Sequence, residues 1–168
     1  DGTPVHLEVV LDELSPGAKA YLPDMFVMGG QHLMRQTVKR VYEVTQGYSP
    51  TIINAYGPTE CSDVSSYFNI TREFVSGSEA VFNSIPIGKP LNNVQIHILD
   101  SNLAQVPVGV NGELCIAGEG LARGYINRED LTKEKFVNAS LLQNRRIYRT
   151  GDIGRYLDDG NIVLLGRS

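Results

Sequence analysis

A segment with helical spacing lies between two short apolar segments, and this arrangement limits the possible folds of the chain. "DMFVMGG" (24–30) and "TIINAYG" (51–57) have the composition of buried strands. Between them, residues 31–46 have apolar side chains on one helical face, namely Met34, Val38, Val41 and Val44. Gly47 follows at the position of a C-terminal cap. A strand, a helix and a strand form a crossover unit, so the two strands are expected to be parallel.

The other segments divide the chain into an α/β part and a β part. Residues 5–14 have helical spacing that ends at Ser15-Pro16-Gly17, and residues 69–86 have the polar, irregular composition of a surface excursion. From Ile87 onward, "VQIHILD" alternates and "GELCIAG" has strand composition. "LTKEKF" predicts one or two helical turns, and "DIGRYLDDGNIVLLG" predicts a hairpin that turns at Asp159-Gly160.

The predicted fold class is therefore α/β plus β. A partial parallel α/β lobe (1–75) is followed by a β-rich, barrel-like lobe (76–168).

Charge and cysteine content argue against several classes of function. The net charge is −4 and no cluster of Lys and Arg is present, which argues against a nucleic-acid partner. Cys61 and Cys115 give neither a disulfide framework nor a CxxC metal site. No apolar run reaches membrane-spanning length and no signal peptide is recognisable, so a cytoplasmic location without a membrane partner is expected.

The segment "NAYGPTE" (54–60) lies where a parallel sheet binds ligands. In open parallel sheets ligands lie outside the carboxyl ends of the strands, and both "GGQ" and "NAYGPTE" fall at that end. Gly57-Pro58 forces a sharp turn, Thr59 offers a hydroxyl and Glu60 offers a hard oxygen ligand, a combination suited to a phosphate and its Mg²⁺. The alternative is an ordinary Gly-Pro turn with a solvated carboxylate.

Three further side chains suit a nucleotide. The ring of Tyr56 offers a face on which a base can stack, and the amide of Asn54 can pair with the edge of a purine. Asp152 in "YRTGD" can accept both hydroxyls of a ribose; the alternative is an aspartate that caps its own turn. The glycines of "GEGLARGY" (118–125) lack the ending of a P-loop and are expected to make turns and close backbone approaches.

Five segments in a fixed order resemble a known family. They are "INAYGPTE", "PIGKPL", "VPVGVNGELCIAGEGLARGYINREDLT", "YRTGDIGRYLDDGNI" and "LLGRS". In this order they resemble the adenylation domains of nonribosomal peptide synthetases, which belong to the adenylate-forming superfamily with acyl-CoA synthetases and luciferases. The resemblance runs from about Phe26 to the last residue.

The resemblance implies a two-step reaction. An amino acid and Mg·ATP bind, the carboxylate attacks the α-phosphorus, and pyrophosphate leaves an aminoacyl-AMP behind. The phosphopantetheine thiol of a peptidyl carrier domain then takes the aminoacyl group as a thioester. The implied cofactors are ATP (AMP after reaction), Mg²⁺ and the phosphopantetheine of the partner domain.

The resemblance also implies roles for individual residues. Thr59 would contact the phosphate and Glu60 would ligate Mg²⁺, and these two are the catalytic candidates. Tyr56 would stack against adenine and Asp152 would hold the ribose. The complete nucleotide-binding set would be Gly30, Gln31, Asn54, Tyr56, Asp152 and Arg167. The amino-acid pocket would be lined by Val27, Gly29, Ala55, Asp63 and Val64. An acidic Asp63 there would favour a polar or basic substrate; a helix-start or solvent-facing role is the alternative.

The resemblance covers an interior part of such a domain. The upstream phosphate loop, the aspartate that anchors the substrate amine and the C-terminal subdomain with its lysine fall outside it, so the isolated chain is expected to be inactive or nearly so. Expected partners are the amino acid, the carrier domain, the remaining adenylation-domain segments and a condensation domain. Two alternatives stay open: an acyl-CoA or aryl-acid ligase of the same superfamily, and a catalytically silent binding or scaffold piece.

Overall fold

The computed structural model describes residues 1–14, 23–45, 48–77 and 84–167. Its contacts divide the chain into two compact units, Asp1–Ala55 with Phe68–Pro86 and Tyr56–Tyr67 with Ile87–Ser168. The chain therefore enters the second unit for one short segment, returns to the first, and then remains in the second. The sequence-based division at residues 75 and 76 refers to subdomains of a longer family domain and stays a prediction.

The first unit contains the predicted parallel crossover. Strand β1 (Met25–Met28) pairs in parallel with β2 (Thr51–Tyr56), and helix α2 (Arg35–Val44) lies between them in the chain. Strand β3 (Ser66–Ile70) follows β2 in the order of this sheet. The α/β character and the parallel pairing are confirmed.

Helix α1 (Pro4–Glu13) begins with a capping arrangement that its own sequence supplies. The Thr3 hydroxyl accepts a hydrogen bond from the backbone N–H of His6, and Pro4 occupies the first helical position, where its missing N–H would have no helical partner. Leu7 and Leu11 lie one turn apart and are buried in the core. The predicted helix over 5–14 is confirmed to within one residue at each end; its predicted closure at 15–17 lies outside the described residues.

Helix α2 begins four residues later than predicted. Gly30 has a left-handed backbone (φ 76°) and Met34 is extended, so the chain turns before the helix starts at Arg35. Val38 and Val41 are buried as predicted, but Met34 is 44% exposed. The spacing of Met34 from Val38 and Val41 fits a helix, but the turn after β1 keeps residues 31–34 out of α2. The predicted cap at position 47 lies outside the described residues.

Part of the segment 69–86 is regular, contrary to the prediction of an irregular excursion. The Thr71 hydroxyl caps a short helix, α3 (Arg72–Ser76), and Val75 in that helix is buried. The Arg35 side chain donates to carbonyls of this helix, including that of Val75 (3.0 Å from Nε). Arg35 lies 40 positions away, so these bonds cannot be recognised from the local sequence, in which the Thr71 cap is the signal for the helix.

The second unit is built on antiparallel strands. Strand β4 (Lys89–Pro90) pairs with β3, and α4 (Glu129–Lys135) precedes β7. The main sheet has the order β5-β6-β8-β7, and β9 also pairs with β8; its strands are β5 (Val94–Leu99), β6 (Gly112–Gly118), β7 (Phe136–Ala139), β8 (Arg145–Tyr156) and β9 (Ile162–Arg167). The predicted β-rich second part is confirmed.

Strands β8 and β9 form the predicted hairpin. Gly160 has a left-handed backbone (φ 80°), and the Asp159 carboxylate accepts a hydrogen bond from the backbone N–H of Asn161 (2.9 Å). The turn therefore depends on the two residue types that predicted it. It brings Arg167 opposite Asp152 in the strand register.

Two buried cysteines lead to a prediction about thiol chemistry. Burial raises the pKa of the Cys61 thiol and of the Cys115 thiol to about 12. Because the thiolate is the reactive form, we expect iodoacetamide at about pH 8 to label both far more slowly in the folded protein than in guanidinium chloride. The pKa of each thiol is higher in the folded protein than the unfolded value of about 9. The contribution of the buried, neutral thiols to the free energy of unfolding is therefore complete below pH 9 and is lost as the pH rises toward 12.

Mass spectrometry of the labelled peptides measures both rates. Equal rates in the folded and denatured protein would contradict the burial of these thiols. A matched comparison follows the free energy of unfolding as the pH rises. Its decrease at alkaline pH should be shallower in Cys115→Ala, because this variant lacks one of the two thiols with a raised pKa.

Among the described residues, no helix combines the length and the apolar composition that crossing a bilayer requires.

Candidate functional site

The turn after β2 requires glycine at position 57. A Cβ on Gly57 would lie 2.3 Å from the carbonyl oxygen of Asp63 and 2.6 Å from the nitrogen of Ser65, and both of these are backbone atoms. The backbone N–H of Ser65 donates to the carbonyl of Tyr56 (2.7 Å), which closes the turn. The chain therefore folds tightly back on itself at this point.

Within the turn, Thr59–Cys61 forms one turn of 3₁₀ helix. Pro58 precedes it with an extended backbone, and Cys61 is buried in the core of the second unit. The backbone at Ser62 and Asp63 is left-handed (φ 63° and 72°), which ends the helix. Thr59 is exposed and Glu60 is partly buried, so the short helix presents a hydroxyl and a carboxylate from a fixed backbone.

The Glu60 carboxylate accepts a hydrogen bond from Tyr125. The distance from Tyr125 Oη to Glu60 Oε1 is 2.6 Å, and Tyr148 Oη lies 3.3 Å from Tyr125 Oη. Partial burial acts to raise the pKa of Glu60, but the hydrogen bonds from Tyr125 and from its own backbone N–H, the nearby Tyr148 hydroxyl and the charge of Arg167 outweigh burial and lower this pKa. Glu60 is therefore ionised at neutral pH, as a cation ligand must be.

Both oxygens of the Asp152 carboxylate have partners. Tyr56 Oη donates to Oδ2 (2.7 Å) and Arg167 Nε donates to Oδ1 (2.9 Å). The Asp152 side chain is 15% exposed whereas that of Arg167 is 80% exposed. Burial, followed by the charge of Asp152 and its hydrogen bond, raises the pKa of Tyr56, so this phenol remains a donor.

Hydrogen bonds of Asp152 and of the residues that precede it hold this aspartate in place. Its backbone N–H donates to Thr150 Oγ1 (2.9 Å), and that hydroxyl donates to the carbonyl of Leu114 (2.8 Å). Glu113 accepts from Arg149 Nη2 (2.6 Å) and, through its other oxygen, from the backbone N–H of Gly151 (3.1 Å). These bonds fix the segment that carries Asp152 against β6.

The structure brings some of the predicted site residues together in the second unit. Tyr56, Asp152 and Arg167 form one hydrogen-bonded group, and the charge of Arg167 also acts on Glu60. Asp63 and Val64 are exposed and belong to the same unit. Their roles in a substrate pocket stay predictions.

The remaining predicted residues belong to the first unit. Gly29 and Ala55 lie side by side at the carboxyl ends of β1 and β2, where a Cβ on Gly29 would lie 3.3 Å from the Ala55 carbonyl oxygen. Val27 is partly buried in β1, and Gly30 and Gln31 are exposed just after that strand. Their binding roles stay predictions.

Asn54 is 3% exposed and has backbone partners. Its Nδ2 donates to the carbonyls of Ile85 (3.2 Å) and Pro86 (2.8 Å), which ties the end of β2 to residues 85–86. A buried amide of this kind is stabilised by such pairing. The predicted contact of Asn54 with adenine stays a prediction.

The donor set around Glu60 fits Mg²⁺. In the described part of the chain, no group of three or more His, Cys, Asp or Glu side chains is placed to hold a metal ion. Mg²⁺ usually takes only one or two carboxylates and completes its octahedron with water and substrate phosphates. A single ionised Glu60 therefore suits Mg²⁺ that arrives with a nucleotide.

Sequence reasoning missed three residues that shape this site. Tyr125 donates a hydrogen bond to the Glu60 carboxylate, and Tyr148 contacts the hydroxyl of Tyr125. Glu113 accepts a hydrogen bond from the backbone of the segment that carries Asp152. Tyr125 is the last residue of the glycine-rich segment and Tyr148 is the first residue of "YRTGD", so both belong to segments that the sequence analysis had identified. The two tyrosines approach Glu60, and Glu113 approaches the Asp152 segment, through contacts over long sequence separations, which local patterns do not show.

The family model of AMP-binding enzymes matches residues 2–126, and the chain belongs to this family. More narrowly, it is part of an adenylation domain of the nonribosomal peptide synthetase type, which confirms the resemblance stated from its motifs.

Two synthetases illustrate the similarity in sequence. Bacitracin synthase 1 of Bacillus licheniformis is 41% identical over 173 residues, which cover 100% of this chain and 3% of that protein. Tyrocidine synthase 3 of Brevibacillus parabrevis is 42% identical over 164 residues, which cover 98% of this chain and 2% of that protein. The chain thus spans only a few per cent of the length of these relatives.

Two solved structures illustrate the similarity in fold. FmoA3 with α-methyl-L-serine-AMP bound has a TM-score of 0.85 and 31% identity, and the match covers 100% of this chain and 18% of that one. NpsA–ThdA, an artificially fused adenylation–PCP di-domain protein from Klebsiella oxytoca, has a TM-score of 0.76 and 32% identity, and the match covers 98% of this chain and 28% of that one.

Proposed function

We propose that the protein containing this chain activates an amino acid as aminoacyl-AMP, with release of pyrophosphate, and transfers it to the phosphopantetheine thiol of a carrier domain. The observation that carries the proposal is the group of Tyr56, Asp152 and Arg167 in a chain that belongs to the AMP-binding family. An aspartate side chain between a phenol and a guanidinium suits the sugar of a nucleotide.

Each residue of this group has a distinct task in the proposal. The Asp152 oxygens accept the ribose hydroxyls, using lone pairs beyond those taken by Tyr56 and Arg167. The ring of Tyr56 offers its face to adenine while its hydroxyl keeps Asp152 oriented. Arg167, which is exposed, adds positive charge near the nucleotide. Gly30, Gln31 and Asn54 complete the proposed nucleotide site.

Thr59 and Glu60 serve the phosphates. Thr59 offers an exposed hydroxyl as a donor, and Glu60 offers an ionised carboxylate that would hold Mg²⁺. When bound, Mg²⁺ supplies a Lewis acid that neutralises negative charge on the phosphates. The proposed acid pocket consists of Val27, Gly29, Ala55, Asp63 and Val64, and the carboxylate of Asp63 favours a substrate with a polar or basic side chain.

The proposed partners follow from the relatives. NpsA–ThdA joins an adenylation domain to a PCP domain, and FmoA3 binds an amino-acid adenylate, so we infer a carrier domain and an amino acid for this protein too. The remaining adenylation-domain segments, a condensation domain and a cytoplasmic location belong to the same proposal.

ATP–pyrophosphate exchange with the full-length protein tests the proposal. The panel should contain the proteinogenic amino acids and a set of simple fatty and aryl acids. We expect one or a few amino acids to stimulate exchange. Stimulation only by fatty or aryl acids would place the protein with the acyl-CoA and aryl-acid ligases, and no stimulation by any acid would favour a binding or scaffold role.

Asp152→Asn is expected to raise the KM for ATP by about tenfold and to change kcat less, because the ribose loses hydrogen bonds to a charged acceptor. Exchange at varied ATP concentration measures both constants. Asp158→Asn, an exposed residue of the same hairpin, is the matched control and should retain the wild-type KM. An unchanged KM in Asp152→Asn would remove Asp152 from the nucleotide site.

A further inference from the structure

Two phenols form a directed hydrogen-bond chain that ends on Glu60. Tyr125 Oη donates to Glu60 Oε1 at 2.6 Å, and Tyr148 Oη lies 3.3 Å from Tyr125 Oη. Because the proton of Tyr125 is directed at the carboxylate, Tyr148 is the donor in the contact between the phenols. One carboxylate oxygen of Glu60 is therefore engaged by a short, charge-assisted hydrogen bond.

The backbone and ring of Tyr125 are held in place. Its N–H donates to Thr132 Oγ1 (2.9 Å), and Gly124, with φ 149°, passes so close to Thr132 that a Cβ would lie 2.5 Å from Cγ2. The ring of Phe136 packs edge-on against Tyr125 (5.8 Å between centroids) and at a tilt against Tyr148 (4.9 Å). Neither phenol can swing away from Glu60 without disturbing Phe136.

The segment that carries Tyr125 is also tied to the turn that carries Glu60. The backbone N–H of Ala122 donates to the carbonyl of Glu60 (2.8 Å). Arg146 Nη1 donates to the carbonyl of Ala122 (2.9 Å) and stacks over the ring of Phe136 (4.5 Å). The Tyr125 hydroxyl and the Glu60 carboxylate therefore belong to one connected framework.

We propose that Tyr125, supported by Tyr148, is a positioning residue that restricts Glu60 to one-oxygen ligation of the divalent cation and so favours Mg²⁺ over Ca²⁺. Mg²⁺ demands near-ideal octahedral geometry, which the narrow angle of a bidentate carboxylate disturbs, whereas Ca²⁺ accepts bidentate carboxylates. A phenol on Oε1 opposes bidentate ligation because it competes for that oxygen. The inference rests on the proposed function, in which Glu60 ligates the cation.

Tyr125→Phe in the full-length protein tests this role. The variant keeps the ring against Phe136 and removes the hydroxyl that donates to Glu60 and accepts from Tyr148. We expect the half-saturating Mg²⁺ concentration in ATP–pyrophosphate exchange to rise by about tenfold, since residues that orient a metal ligand contribute about 10- to 100-fold to metal affinity. The ratio of exchange rates with Mg²⁺ and Ca²⁺ should fall, and Tyr148→Phe should shift both quantities in the same direction by less.

A measurement of cation binding without turnover accompanies the kinetics. Mn²⁺ is titrated into the protein with a non-hydrolysable ATP analogue, and free Mn²⁺ is followed by electron paramagnetic resonance. Tyr125→Phe should weaken Mn²⁺ binding by about tenfold. The matched control is Tyr156→Phe, which removes a part-buried hydroxyl that donates to the carbonyl of Ile96, and it should leave the cation dependence unchanged.

The outcomes separate this inference from the proposed function. If Glu60→Gln impairs exchange while Tyr125→Phe changes neither the Mg²⁺ dependence nor the Mg²⁺/Ca²⁺ ratio, the positioning role is overturned and the proposed function stands. If the wild-type protein exchanges with no acid, the proposed function fails. The Mn²⁺ titration then decides the inference alone: weaker binding in Tyr125→Phe supports it, and unchanged binding overturns it.

Discussion

Glu60→Gln should lower the rate of ATP–pyrophosphate exchange by about 100-fold or more, the largest effect on activity that we expect from any single substitution. Gln keeps the size of the side chain and can still accept the hydrogen bond from Tyr125. It loses the negative charge, and a neutral amide is a much weaker ligand for Mg²⁺. The loss therefore reports on cation binding rather than on packing.

The matched control for this substitution is Glu119→Gln, an exposed carboxylate in the segment that packs against the Glu60 turn. It removes the same charge from the same neighbourhood, and we expect wild-type exchange. Raising the Mg²⁺ concentration should restore Glu60→Gln in part. A Glu60→Gln protein with wild-type kinetics at every Mg²⁺ concentration would show that this carboxylate is not the ligand.

Gly57→Ala should destabilise the second unit by about 3 kcal/mol, at the upper end of the usual cost of overpacking. The new Cβ would meet the Asp63 carbonyl oxygen at 2.3 Å and the Ser65 nitrogen at 2.6 Å. Both atoms belong to the backbone, so no side chain can rotate to relieve the clash. The turn must open, and the hydrogen bond from Ser65 N–H to Tyr56 is lost with it.

Amide hydrogen exchange followed by mass spectrometry measures this effect locally. Peptides that cover residues 56–67 should exchange much faster in Gly57→Ala, and pyrophosphate exchange should be lost because Thr59 and Glu60 are no longer held. Gly2→Ala is the control, since its Cβ would meet no heavy atom closer than 3.8 Å. Unchanged protection over 56–67 would mean that the turn accommodates a side chain.

Elements whose determinants lie close together in the sequence were predicted well. The hairpin of β8 and β9 rests on Asp159 and Gly160, and α1 rests on Thr3, Pro4 and an apolar face one turn apart. The predicted start of α2 was wrong because the turn after β1 interrupts an apolar spacing that fits a helix. Helix α3 was missed despite its local Thr71 cap; the bonds from Arg35 to its carbonyls come from far along the chain.

The candidate site shows the same division. Gly57, Thr59 and Glu60 could be recognised from their order because one tight turn positions all three. Asn54 also stood out by residue type, but only the structure shows that its amide pairs with the carbonyls of residues 85 and 86. Residue type indicates which bonds a side chain can make, and the fold decides which partners are within reach.

The class of the fold, the parallel crossover and the family were all recognisable from the sequence, because strand and helix periodicity, turn residues and ordered motifs act over short stretches. Which side chains meet depends on the folded chain. Tyr125 reaches Glu60 across 65 residues and Tyr56 reaches Asp152 across 96, and both contacts depend on strand pairing and core packing. Hydrogen bonds act over about 3 Å, so their partners are set by the completed fold and not by distance along the chain.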